Sequence, residues 1–141
     1  MLCVTDSNAS AAALMVMSRF RVPASAAAAF ASDARLAIEV MGRCAGFVDA
    51  ALGQSTDDPE LRTITSRWTS IGAYRRSLSS FDVKMSAIPL LSTAIDEPSA
   101  FELVHERDSA GARDAESGLA ADAHATRLGE AAVASVDRLI T

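Results

Sequence analysis

GFVDAALGQSTDDPELRTITSRW, residues 46–68, holds two short strand-like runs, 46–55 and 60–68, on either side of TDDPE. An aspartate side chain bonds the backbone N–H groups that follow it, and proline presets φ, so the intervening residues favour a turn. The spacing therefore predicts an antiparallel hairpin, with Asp57 and Asp58 serving the turn.

Upstream, AALMVMSRFRV (12–22) is dense in β-compatible residues and is closed by Pro23, so it is expected to be the first strand. Ser25 is placed to cap a helix whose apolar positions Phe30, Ala34, Ala37, Ile38 and Met41 follow the 3.6-residue period. Arg35, Glu39 and Arg43 lie on its outer side at i,i+4 spacing, and the helix is expected to stop near Gly46.

Downstream, Ser70 is a cap for a second helix with Ile71, Tyr74 and Leu78 on one side. A short helix from Asp82, bent or ended around Pro89, is expected to follow, then a turn at DEP and a last strand, SAFELVHE, 99–106. The order is β-α-β-β-α-β with the second helix in two pieces. That order predicts an α+β, ferredoxin-like subunit with a four-stranded antiparallel sheet and helices on one face.

The sheet has an oddity. A sheet covered on one side alternates apolar with polar residues, yet the first strand reads Leu14, Met15, Val16, Met17, and the last offers Phe101, Leu103 and Val104. An apolar patch of that extent invites association, so a second copy packed sheet to sheet about a two-fold axis is expected, giving a homodimer.

Flanking segments divide the chain into a flexible N-terminus (1–11), the folded domain (12–106), a linker (107–118) and a C-terminal amphipathic helix or tail (119–141). The linker RDSAGARDAESG alternates charges with small residues. In the tail, Leu128, Ala132, Val136, Leu139 and Ile140 fall roughly on one helical face.

Composition excludes several functions. A net charge of −5 and scattered arginines leave no basic stripe for nucleic acid. ASAAALMVM is too short to span a bilayer and has no basic residue before it, so a cytoplasmic protein without a membrane partner is expected. Cys3 and Cys44 are read as reduced thiols, and the isolated His105 and His124 form no metal-ligand cluster. Lys84, the only lysine, reads as a surface residue, while Arg19, Arg67, Arg75 and Arg76 are solvated or interfacial charges or, alternatively, steer an acidic substrate.

Taken together, SRFRV, AGFVDAALGQSTDDP, RWTSIGAYRRSLSS and IPLLSTAIDEPSAFELV resemble the antibiotic biosynthesis monooxygenase family over roughly residues 13–106. The resemblance implies a dimeric α+β barrel with an apolar pocket between helices and sheet in each subunit. Some members of the family convert polycyclic phenols to quinones without metal or flavin, so no cofactor is implied. Those members resemble this chain at Trp68 and Tyr74, its only tryptophan and tyrosine, which are the implied catalytic residues. Four positions before the tryptophan, where those oxygenases carry an asparagine, stands Ile64, which cannot donate a hydrogen bond. Haem-degrading relatives carry a ligating histidine where Leu78 and its neighbours stand, and an asparagine where Ser18 precedes Arg19, so haem chemistry is not expected.

Ser18, Phe30, Ile64, Leu78 and Phe101 are the expected substrate contacts, for a small hydrophobic or aromatic ligand. Two functions remain open: a cofactor-independent monooxygenase acting on an aromatic or polyketide-like phenol, and a non-catalytic dimeric barrel that binds a hydrophobic ligand or acts as a scaffold. A cavity of about 300 Å3 or more bordered by Trp68 favours use of a pocket, and a filled interior favours a scaffold.

Overall fold

The structure, a computed structural model, describes residues 12–117. The expected N-terminal tail and C-terminal helix therefore lie outside the described residues. Strand β1 spans Leu14–Arg21, and helix α1 spans Ala27–Gly42 after a tight turn at Ala24–Ala26. The hairpin follows as β2 (Phe47–Gln54) and β3 (Leu61–Trp68). Three short helices, α2 (Ile71–Ser77), α3 (Phe81–Ser86) and α4 (Ile88–Leu91), lead to β4 (Ala100–Glu102). The chain then forms a second hairpin from β5 (His105–Asp108) and β6 (Gly111–Asp114).

The main sheet is four-stranded and antiparallel in the order β2-β3-β1-β4, the ferredoxin-like arrangement expected from the element order. Alternation along β1 sorts its residues: Leu14, Val16, Ser18 and Phe20 are buried under the helices, and Met15, Met17 and Arg19 stand half-exposed on the other face. α1 buries Phe30, Ala34, Ala37, Val40 and Met41, so Val40, more than the half-buried Ile38, completes its apolar stripe. Trp68, Phe20, Leu14, Met41 and Val83 are the largest side chains wholly enclosed in this core.

Several boundaries differ from expectation for local reasons. Pro23 precedes a tight turn whose Ala26 N–H bonds the Pro23 carbonyl at 2.9 Å, so Ser25 lies inside that turn and caps nothing. α1 ends at Gly42, not near Gly46; Gly46 instead enters β2 at φ +89°, where an added Cβ would meet the Ala73 Cβ at 2.3 Å. Ser70 caps α2 as expected, accepting from the Ala73 N–H at 3.0 Å, but Ser80, not Asp82, opens α3 by accepting from the Val83 N–H at 3.3 Å. α2 turns Ala73 and Ser77 fully inward, with Tyr74 and Leu78 beside them and Ile71 exposed.

The last strand is much shorter than 99–106. Only Ala100–Glu102 pairs with β1, and residues 107–114, expected as linker, instead belong to the β5–β6 hairpin. Asp108 explains the turn: its Oδ1 accepts from the Ala110 and Gly111 N–H groups at 2.8 and 3.1 Å, and Gly111 takes φ +151°. On the open face of the sheet, Met15 lies opposite Phe101, which is 45% exposed. No helix among the described residues is long and apolar enough to cross a membrane.

Candidate functional site

Because β4 pairs with β1 only from Leu14 to Val16, the rest of that edge of β1 is met by the connection from α4. The Ile95 N–H bonds the Arg19 carbonyl at 2.8 Å, and the Met17 N–H bonds the Ser99 carbonyl at 2.7 Å. Side chains reinforce the junction, since Arg19 donates from Nε and Nη2 to the two carboxylate oxygens of Glu97 at 2.7 and 2.8 Å. This ion pair holds the Glu97 carboxyl below the usual carboxylate range, chiefly through its hydrogen bond from Arg19.

Between this connection, β1 and α2 lies a cavity of about 330 Å3, lined by Met17, Ser18, Tyr74, Leu91, Ile95 and Ser99 among others, with Asp96 and Glu97 as its acidic members. Four hydroxyl residues line it, Ser18, Tyr74, Ser92 and Ser99, and the Ser92 hydroxyl donates to the Pro89 carbonyl at 2.8 Å. Ser18 is 8% exposed, and its hydroxyl makes no hydrogen bond among the described residues. The Tyr74 hydroxyl likewise has no partner among them, and burial raises its pKa, so the phenol stays neutral and able to donate. A buried hydroxyl is ordinarily paired, so the unpaired one of the nearly buried Ser18, with the half-buried Tyr74 lining the same cavity, marks a polar position that a ligand can fill.

Trp68 has a different place from the one its sequence position implied. It is fully buried, and its indole N–H donates to Ser66 Oγ at 2.9 Å, so it does not border the cavity directly. Its ring backs Tyr74, with centroids 5.6 Å apart, and meets Phe47 edge-on at 5.3 Å. Tyr74 thus stands between Trp68 and the cavity.

Of the five expected substrate contacts, only Ser18 lines this cavity. Phe30 packs on Phe20 at 5.1 Å between ring centroids inside the core, and Ile64 is buried there too. Leu78 is half-buried against the core, and Phe101 stands on the opposite face of the sheet beside Met15. The residues that sequence reasoning missed, Leu91, Ile95, Asp96 and Glu97, belong to a segment whose DEP signal marks a turn but not what the turn encloses.

A second cavity of about 300 Å3 lies at the other end of the helical layer, between the end of α1 and α3, with Arg43, Cys44, Arg76 and Asp82 in its lining. Arg75 is exposed, and Arg67 is committed to Asp49 at 2.7 Å and to Glu106 at 3.7 Å.

The sequence pattern of the antibiotic biosynthesis monooxygenase family matches residues 13–85, just over half of the chain. The chain belongs to this family. The antibiotic biosynthesis monooxygenase region runs from β1 into α3 and so takes in Ser18, Trp68 and Tyr74, but it ends before the 91–99 connection that closes the cavity. Among solved structures, the chain is similar to SnoaB, a cofactor-independent oxygenase from Streptomyces nogalater, at 24% identity and a TM-score of 0.57, covering 70% of this chain and 96% of that one. An asparagine-to-alanine mutant of SnoaB matches at 26% identity and a TM-score of 0.55, covering 62% and 89%. A conserved protein from Methanosarcina mazei Go1 matches at 22% identity and a TM-score of 0.57, covering 68% and 97%. No curated protein gives a significant match.

Proposed function

We propose that the protein is a cofactor-independent monooxygenase that oxidises a phenolic aromatic or polyketide-like substrate in the cavity at the edge of β1. The observation that carries this reading is the pair of unpartnered hydroxyls, Ser18 and Tyr74, in one cavity of a monooxygenase-family fold. In such a reaction, a deprotonated phenol or anthrone passes one electron to dioxygen, and the superoxide then combines with the substrate radical at carbon. Loss of water from the resulting hydroperoxide leaves a quinone, so an anthrone CH2 and O2 become C=O and H2O. Here the protein's task is to hold the phenolate and to exclude water.

Ser18 and Tyr74 suit that task as two neutral donors lining one cavity. Trp68 contributes by supporting the Tyr74 ring, since its own N–H is engaged by Ser66. The working unit on this reading is a homodimer, with a second copy covering Met15, Met17 and Phe101 on the open face of the sheet.

Oxygen uptake with a panel of anthrones and hydroquinones tests the proposal. Turnover that falls in Ser18→Ala and Tyr74→Phe supports it. Absence of turnover with every compound overturns the catalytic claim. Tight binding without turnover supports the second reading, a ligand-binding barrel, which is favoured by one observation: Ile64 is buried where family oxygenases carry their asparagine.

A further inference from the structure

We propose that the cavity at the edge of β1 selects uncharged phenolic aromatics and rejects carboxylated ones, an inference that rests on the reading of this cavity as the substrate site. It follows from where the charges around it are committed. Asp96 and Glu97 line the cavity, and among the described residues no arginine, lysine or histidine does. Arg19, next to Ser18 on β1, does not line the cavity, and its guanidinium fork is closed on both oxygens of Glu97 through Nε and Nη2, so that pair is neutral. Arg67 is engaged by Asp49 and Glu106, while Arg43 and Arg76 belong to the other cavity.

Asp96 is left as the uncompensated charge, with no hydrogen bond or ion pair among the described residues. A substrate carboxylate entering here would lose hydration and face a like charge, without a guanidinium to receive it. A phenol enters in its neutral form and so meets no such penalty on binding, because Ser18 and Tyr74 offer neutral hydroxyls that both donate and accept. The apolar lining from Leu91, Ala94 and Ile95 suits the rest of a fused aromatic ring system.

The experiment compares 1,8-dihydroxyanthraquinone with its 3-carboxylate, binding each to the full chain and following quenching of Trp68, the only tryptophan. The uncharged compound is expected to bind about tenfold more tightly at low salt, the scale of a like charge at close range in a half-exposed site. The difference should shrink at least threefold in Asp96→Asn and in 0.5 M salt. Equal or tighter binding of the carboxylate, or a difference unchanged in Asp96→Asn, would overturn the inference and leave the site reading standing. Quenching by neither compound, or quenching indifferent to Ser18→Ala and Tyr74→Phe, would overturn the site reading and the inference with it.

Discussion

Ser18 lies directly opposite Ile64 on the β1–β3 ladder, and both belong to the helix-covered face of the sheet. Ile64, on a strand enclosed by β2 and β1, is sealed in the core; Ser18, on β1 past the last residue paired with β4, reaches the cavity. On the proposed reading, the polar contact that family oxygenases make from the position of Ile64 passes to its cross-strand neighbour.

Ser18→Ala should therefore separate folding from function. Removing a nearly buried, unpaired hydroxyl is expected to leave stability unchanged or to raise it by up to about 1 kcal/mol in urea unfolding. Binding of a phenolic ligand should weaken roughly fivefold to tenfold, one neutral hydrogen bond. A clear loss of stability without a change in binding would assign the hydroxyl a structural role.

The Trp68–Ser66 bond makes the opposite forecast. Ser66→Ala strands an indole N–H in the core and is expected to cost about 1–3 kcal/mol in denaturant unfolding, with a shift in the emission of Trp68. A loss under about 0.5 kcal/mol would mean that the N–H finds another acceptor.

Acid should act through the Arg19–Glu97 pair. Glu97 titrates lower in the folded chain than in the unfolded one because Arg19 bonds its charged form. Its contribution is thus complete above the unfolded glutamate pKa of about 4.3 and is lost as pH falls through the lower folded value. Glu97→Gln should flatten the acid limb of a stability–pH profile below about pH 4.5 and leave its slope near pH 7 unchanged. An unaltered acid limb would rule this pair out as a contributor.

Sedimentation tests the proposed sheet-to-sheet dimer. The chain is expected to run as a dimer at micromolar concentration, and Met15→Glu, which puts a charge opposite Phe101 on the open face, is expected to yield monomers with unchanged far-UV circular dichroism. A monomeric parent protein would overturn the arrangement.

Much of the subunit was legible. The 46–68 hairpin and the helical stripe of Phe30, Ala34, Ala37 and Met41 are local patterns, and each appears where the residues imply, whereas the sorting of β1 into two faces, with Leu14, Met15, Val16 and Met17 all apolar, came from the fold. The β5–β6 hairpin was not, because a run of small and charged residues looks like a linker until Asp108 and Gly111 are seen to close a turn within it. The proposed site draws on the sequence only in part. Ser18 and Tyr74 were identifiable, whereas Phe30, Ile64, Leu78 and Phe101 share only the apolar character of pocket residues, and three of them pack into or against the core.

What the sequence by itself determined is the order of the elements and the face to which most of their residues point, since both follow from periods of two and 3.6 residues along the chain. Only the tertiary structure decided that β4 releases β1 after Val16, that residues 91–99 take over its edge, and that the resulting cavity holds the hydroxyls of Ser18 and Tyr74 but not Trp68. The reason is physical: where a strand loses its partner depends on hydrogen bonds between residues some eighty positions apart, such as those of Arg19 with Ile95 and Glu97, and no local period records them.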